Sequence, residues 1–173
     1  MVSEVEIEYV VWQNRAFRFY LASRLLYQNE QYSPSAFCAI QSLESLMKAT
    51  LVYWDKSFDP EATNHKIAGM VQSIRNKVKE GKTFSCPEYF YLEKRFQSVT
   101  RYPAKGKGVL LPASFLVDLD SVFSSLVCLV PFQFNTNLKH ALSGKVRRDL
   151  NILRRNNHQI RQLRKFLKVN TKK

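Results

Sequence analysis

Residues 32–54 read YSPSAFCAIQSLESLMKATLVYW, and this stretch decides the fold class. Ser33 can cap a helix, Pro34 suits a first helical position, and no glycine or further proline follows until Asp59-Pro60. Apolar or small side chains recur every three or four residues: Ala36, Ala39, Ile40, Leu43, Leu46, Met47, Thr50 and Leu51. Because they cover more than half of the helix circumference, they predict a central helix buried between several neighbours.

The polar side chains of this helix are confined to one edge. Gln41, Glu44 and Lys48 again lie three and four residues apart. Glu44 precedes Lys48 in the order that favours an ion pair between residues i and i+4. We therefore expect a polar stripe that carries an ion pair.

Helical periodicity extends along the rest of the chain. A first helix is predicted over Tyr9–Tyr27, with Arg15 and Arg18 off its apolar stripe, and a short link joins it to the central helix as an antiparallel hairpin. Three more helices are predicted, from Asn64-His65 to Gly81, from Pro87 to Pro103, and from Pro112 to Pro131.

No persuasive strand pair or internal repeat is present. The expected fold is all-α, an up-and-down bundle of about five helices in residues 1–134, followed by a basic helical extension in residues 135–173.

Charge is distributed very unevenly along the chain. The net charge is +13 at pH 7. Residues 139–173 contain twelve Lys and Arg and a single acid, Asp149, whereas the first 138 residues contain fifteen bases and thirteen acids. A nearly neutral body therefore carries a strongly basic tail, and this division is the main functional clue.

The cysteines and the apolar runs indicate the compartment. Cys38, Cys86 and Cys128 are odd in number and far apart, so they fit neither a zinc site nor a disulfide framework and favour the reducing cytoplasm. Acidic residues stand near the start, where a signal peptide would be basic. The apolar run over residues 115–134 is interrupted by aspartates and serines, which predicts a core helix and no membrane span.

The tail itself has a helical pattern. Residues 135–142 are predicted to be a linker, after which Ser143 could cap one long helix. A heptad seam recurs at steps of four and three residues: Val146, Leu150, Leu153, Asn157, Ile160, Arg164 and Leu167. Asn157 occupies the kind of position at which a buried asparagine fixes coiled-coil register.

Basic residues crowd this helix, and they are the candidate nucleic-acid ligands: Arg147, Arg148, Arg154, Arg155, Arg161, Arg164, Lys165 and Lys168. Three interpretations compete. Arginine density favours contact with a nucleic-acid backbone. The apolar seam could instead dock on the bundle, on a twin subunit or on a partner without nucleic acid. Membrane-surface binding is weaker, because Phe166 is the only aromatic residue available.

A family resemblance rests on three features. The run A-x-Q-x-x-E-x-x-x-K-A is present as Ala39, Gln41, Glu44, Lys48 and Ala49. A histidine, His65, opens the next helix, and a tyrosine-rich segment from Tyr89 ends in RYP at Pro103. In this order and spacing, residues 10–130 resemble the HEPN family (higher eukaryotes and prokaryotes nucleotide-binding domain).

The resemblance implies a helical bundle that often dimerises. In many HEPN members, paired subunits join an Arg-x(4–6)-His motif and cleave RNA without metal. Others lack the motif and serve as binding modules, and members often accompany a minimal nucleotidyltransferase in toxin–antitoxin pairs.

This chain departs from the catalytic pattern. No histidine among His65, His140 and His158 has an arginine five to seven positions upstream. Arg154 and His158 come nearest, as an i,i+4 pair that would meet on a helix and flank a phosphate, but they lie outside the matched region. They are weak catalytic candidates.

No other catalytic motif, metal-ligand pattern or cofactor signature is present. Asp118 and Asp120 diverge on a helix and make a poor metal pair.

The sequence therefore predicts a non-catalytic HEPN-like module that binds RNA, or other nucleic acid, through its basic tail. We expect it to act in a complex and to form a homodimer. The alternatives are a metal-independent ribonuclease toxin and an interaction subunit of a nucleotidyltransferase.

Overall fold

We analysed a computed structural model of the protein, which describes residues 4–63, 66–78, 84–91, 111–130, 141, 144 and 146–169, with the backbone alone for 4–7 and 166–169. The chain is an all-α helical bundle, and its described residues contain no strand. The helices are α1 (Glu4–Gln28), α2 (Tyr32–Trp54), α3 (Ile67–Lys77), α4 (Phe115–Val127), α5 (Arg147–Arg154) and α6 (Ile160–Val169). A 3₁₀ turn at Glu88–Phe90 precedes α4.

Helices α1 and α2 form the predicted antiparallel hairpin. Early residues of α1 contact late residues of α2: the rings of Tyr9 and Tyr53 lie 5.4 Å apart, and Ser42 Oγ donates to the Ala16 carbonyl at 2.8 Å. Near the turn, Ser23 and Ser35 each donate a hydroxyl to the other's carbonyl at 2.9 Å. Small side chains at these contacts allow the two backbones to approach closely. The buried serine hydroxyls donate to backbone carbonyls of the facing helix, so they are satisfied inside the interface.

The central position of α2 is confirmed. Every residue from Gln41 to Val52 is buried, including the polar ones. The predicted start of the helix is wrong by two residues: α2 begins at Tyr32 with Gln31 in the N-cap position, and no side chain caps it. Ser33 and Pro34 thus lie within the first turn, where a proline is tolerated because the first backbone N–H groups have no helical acceptor.

Helices α3 and α4 also contribute to the described core. α3 buries Ile67, Met70, Val71 and Ile74, close to the prediction. α4 buries Phe115, Leu119, Val122, Phe123, Leu126 and Val127. Residues from both helices belong to one hydrophobic cluster with α1 and α2, so the described helices share a single core.

The segment after Pro87 differs from its prediction. The expected helix is a three-residue 3₁₀ turn in its described part, and Phe90 is the buried residue there. Tyr89 is half-buried and donates its hydroxyl to Asp118 at 2.9 Å. The polar hydroxyl explains why Tyr89 stays near the surface while Phe90 packs inward, with its ring 5.9 Å from that of Phe115.

The predicted continuous helix in the tail is wrong. Two helices, α5 and α6, replace it, with a turn over residues 155–159 between them. Val146, the first residue of the proposed seam, is exposed, whereas Leu163, which lies outside the seam, is fully buried. The seam residues Leu150, Leu153 and Asn157 are buried, but the register does not continue through the helix break to Leu163.

Several predictions fall outside the described residues. They concern His65, the segment from residue 92 to Pro103, Ser143, the boundary at 134/135, and the side chain of Lys168. Of the predicted linker 135–142, only Ala141 is described, and it is buried in the core cluster.

The three cysteines are free thiols. Cys86 is buried, while Cys38 and Cys128, which the sequence places in the core, are half-buried. Burial raises the pKa of Cys86 to about 12, so this thiol is protonated at neutral pH. None of the helices in the described part of the chain combines the length and apolar character needed to span a membrane.

The core prediction is tested by Leu43→Ala. Leu43 is fully buried in α2, and the cavity left by truncation lowers the free energy of unfolding by about 2–5 kcal/mol. Urea denaturation measures the change. The control is Val117→Ala on the exposed face of α4, for which we expect less than about 0.5 kcal/mol. Equal losses for the two variants would contradict the central position of α2.

Candidate functional site

The basic tail is attached to the bundle through its apolar side. We refer to α5, the turn 155–159 and α6 together as the C-terminal helix pair. Leu150, Leu153 and Leu163 are buried, and the last two belong to the same cluster as the cores of α2 and α4. The apolar side of the helix pair is therefore already occupied by contacts within the chain.

A buried arginine of α1 joins this helix pair to the bundle. Arg24 is fully buried and forms an ion pair with Asp120 of α4, in which Nη1 donates to both carboxylate oxygens. Its remaining donors reach the backbone of the tail: Nε donates to the Ile152 carbonyl at 3.3 Å, and Nη2 donates to the Arg155 carbonyl. Carbonyls at a helix C-terminus lack helical partners and carry negative partial charge, so a guanidinium is a suitable donor at the end of α5.

Two neutral side chains extend the network around Arg24. Tyr20 donates its hydroxyl to Asp120 Oδ1 at 2.6 Å, and Asn157 Nδ2 donates to the same Tyr20 hydroxyl at 3.0 Å. The Tyr20 ring stacks on Phe123 with centroids 3.9 Å apart. We call Tyr20, Arg24, Asp120 and Asn157 the Arg24–Asp120 cluster; it links α1, α4 and the turn of the helix pair.

Burial dominates the protonation behaviour of the cluster. It raises the pKa of the Tyr20 hydroxyl well above its usual value of 10.0, and the neighbouring Asp120 carboxylate adds to the rise. Burial also raises the pKa of Asp120, while Arg24 and the Tyr20 hydrogen bond oppose that rise. Tyr20 is therefore a hydrogen-bond donor at neutral pH.

The turn between α5 and α6 has a clear local cause. Asn156 adopts φ 53°, a left-handed conformation that asparagine tolerates better than most residues. The Asn157 side chain then accepts from the backbone N–H of Gln159 at 2.9 Å, just before α6 begins. Asn157 is thus buried, as expected, but it stabilises a helix break instead of fixing coiled-coil register.

The outward side of the helix pair is cationic. Six of the eight predicted nucleic-acid ligands are exposed: Arg147, Arg148, Arg154, Arg155, Arg161 and Lys165. None of these six side chains forms an ion pair with a described acidic residue. Arg164 is half-buried and has a partner within the protein. The side of the tail that faces solvent is therefore a basic surface.

The structure does not place the two weak catalytic candidates, Arg154 and His158, on one helix. Arg154 is the last residue of α5 and His158 lies beyond the break, so they do not form the expected i,i+4 pair on a helix. His158 is exposed, and its electrostatic interaction with Asp120 opposes the rise that burial causes in the pKa of Asp120.

The polar edge of α2 forms the predicted ion pair, but inside the protein. Lys48 Nζ lies 3.1 Å from Glu44 Oε1, and both side chains are almost completely buried. Lys48 also lies 4.9 Å from the centre of the Trp12 ring, and Arg15 covers the same ring at 5.3 Å. The edge that carries the HEPN resemblance is thus packed against α1.

The two aspartates of α4 diverge as predicted. Asp118 accepts from Tyr89 and Ser114, while Asp120 accepts from Tyr20 and Arg24. Among the described residues, no group of three His, Cys, Asp or Glu side chains could hold a metal ion.

The sequence interpretation missed the Arg24–Asp120 cluster. A usable signal is present: Tyr20 and Arg24 lie four residues apart on the buried face of α1, and Asp120 stands in the most apolar stretch of the chain. Charged residues on opposite apolar faces indicate a buried pair.

Comparison with protein-family models, with curated proteins and with solved structures finds no match for this chain.

Replacing Arg24 tests the ion pair. Arg24→Met leaves the Asp120 carboxylate buried without its cation, and we expect about 3–5 kcal/mol less free energy of unfolding. The double variant Arg24→Met/Asp120→Leu removes both charges and is expected to lose less. Chemical denaturation measures both. The control is Lys77→Met, which breaks the exposed Lys77–Asp55 pair at 3.2 Å and leaves stability nearly unchanged. A double variant with a lower free energy of unfolding than Arg24→Met would contradict the explanation based on an unpaired buried charge.

Alkaline titration tests the buried tyrosine. The raised pKa of Tyr20 means that, above pH 10, the unfolded chain loses this proton before the folded protein does. The stability contributed by Tyr20 is therefore complete below pH 10 and declines as the pH rises further. Denaturation midpoints between about pH 9 and 11 fall less steeply in Tyr20→Phe than in the parent protein. Identical slopes would indicate an ordinary pKa.

Proposed function

We propose that the chain is a non-catalytic HEPN-like module that binds nucleic acid, RNA in preference to DNA, through the outward side of the C-terminal helix pair. The observation that carries the proposal is the set of six exposed cations on the C-terminal helix pair, whose apolar side is buried in the chain's own core. Arginine forks match phosphate oxygens, and each neutralised phosphate releases counterions.

Packing supports this interpretation over a coiled-coil tail. Leu153 and Leu163 are buried in the bundle, so the side chains described in residues 146–165 offer no continuous apolar seam for a second helix. Self-association through the outward side would bring like charges together. A polyanion is the partner that this surface fits best.

The setting of the module is part of the proposal. The three free cysteines support a reducing, cytoplasmic location. We further propose that the module acts in a complex, as a homodimer or with a protein partner such as a nucleotidyltransferase.

Matched charge substitutions test nucleic-acid binding. Arg148, Arg154 and Arg161 are changed together to Gln, and fluorescence anisotropy with single-stranded RNA is recorded between about 50 and 200 mM salt. Because each phosphate contact contributes about 0.7 to the slope of log K against log salt, we expect a slope shallower by about 2. Substitution is preferable to deletion of the tail, since deletion would expose the core around Leu153 and Leu163.

The control carries the same change in net charge elsewhere. Arg18, Lys56 and Lys66 are exposed residues of the body, and their joint change to Gln is expected to leave the slope nearly unchanged. The proposal would be wrong if the two triple variants reduced the slope of log K against log salt equally, or if the slope of the parent protein were near zero. DNA of the same sequence measures the preference for RNA.

A further inference from the structure

The C-terminal helix pair is held by few but specific contacts. α5 has 8 residues and α6 has 10. Isolated helices shorter than about 12–15 residues are marginal in water, so neither helix is expected to persist without its tertiary contacts. Most of the polar contacts come from the Arg24–Asp120 cluster: Arg24 donates to the Ile152 and Arg155 carbonyls, and Asn157 donates to Tyr20. Gln28 Nε2 adds a contact of 3.5 Å to the Ile152 carbonyl.

We propose that Tyr20, Arg24, Asp120 and Asn157 are positioning residues for nucleic-acid binding. They hold the helix pair folded and in one orientation, so that its exposed cations are already ordered when they contact a phosphate backbone. This inference rests on the proposed function. The four residues are buried and touch no ligand themselves; they act through the backbone and the turn that present Arg154 and Arg155.

The physical reason is preorganisation. A released tail keeps all its cations and can still contact the same number of phosphates, but its backbone and side chains must then be ordered during binding. The cost of ordering does not depend on salt. Loss of the cluster therefore lowers affinity equally at every salt concentration and leaves the slope of log K against log salt unchanged.

One substitution separates positioning from simple electrostatics. Asp120→Asn removes a negative charge, so the protein becomes more positive and general attraction to a polyanion increases. The positioning role predicts the opposite result, because Arg24 loses its carboxylate partner and the turn loses its anchor. We expect at least about tenfold weaker binding to single-stranded RNA.

A matched pair of tyrosine variants keeps the test independent of gross misfolding. Tyr20→Phe removes the hydroxyl that joins Asp120 to Asn157 but retains the ring stacked on Phe123. Tyr89→Phe removes a hydroxyl bonded to Asp118, also on α4, and this bond involves no residue of the helix pair. Circular dichroism and thermal melting establish that each variant is folded.

The measurement is RNA affinity against salt for the full chain, with trypsin cleavage at the exposed Arg154 and Arg155 as a monitor of release. We expect Tyr20→Phe to lower log K by the same amount at every salt concentration and to accelerate trypsin cleavage. Asp120→Asn is expected to have both effects more strongly. Tyr89→Phe is expected to behave like the parent protein. If Asp120→Asn does not fold, Tyr20→Phe decides the question.

Two kinds of failure are distinguishable. A parent protein that shows no salt-dependent RNA binding overturns the proposed function. A parent that binds, with Tyr20→Phe and Asp120→Asn as tight as Tyr89→Phe or tighter, overturns the positioning role alone. A shallower slope in Tyr20→Phe also overturns it, because lost phosphate contacts and lost preorganisation are different effects.

Discussion

The buried ion pair between Arg24 and Asp120 is the constraint on which the C-terminal half of the described structure depends. Removing two charges from water is costly, and the cost is offset only when every remaining donor and acceptor is satisfied. Here Asp120 accepts from Arg24 and Tyr20, while Arg24 also donates to two backbone carbonyls at the end of α5. Hydrophobic burial of Leu153 would tolerate many orientations, whereas these bonds are directional and select one.

Helix α1 has a different task on each of its faces. Toward α2 it presents Ala16 and Ser23, whose small size permits close packing. Toward α4 and the tail it presents Tyr20 and Arg24, which supply directional bonds. Toward solvent it presents Arg18. One helix thus connects the apolar centre of the bundle with the basic surface.

The sequence predicted the bundle well where burial and periodicity agree. In α2 nearly every third or fourth residue is apolar, and no tertiary information is needed to recognise a central helix. The prediction of one continuous helix in the tail was wrong because periodicity and tertiary contacts disagree there. The apolar periodicity of the tail continues through Asn156 and Asn157 and so hides the helix break. The bond that anchors the break, from Arg24 to the Arg155 carbonyl, comes from about 130 residues away in the chain and leaves no trace in the local pattern. Periodicity and motifs direct attention to Asp120 only as a metal ligand and do not single out Arg24, although the positions of both residues on apolar faces indicate a buried pair.

The placement of the tail cations is not explained by helix stability. Arg147 and Arg148 open α5, and Arg161 is the second residue of α6; at helix N-termini the macrodipole disfavours positive charge. Asp149 is the one acid in these first turns. A segment selected only to dock on the bundle would gain from acidic residues at those positions. The same arrangement becomes favourable once phosphates approach, since both the side chains and the helix termini then attract the ligand. The unfavourable charge placement and the buried anchor therefore both support the proposal that this surface is held in place for a polyanion.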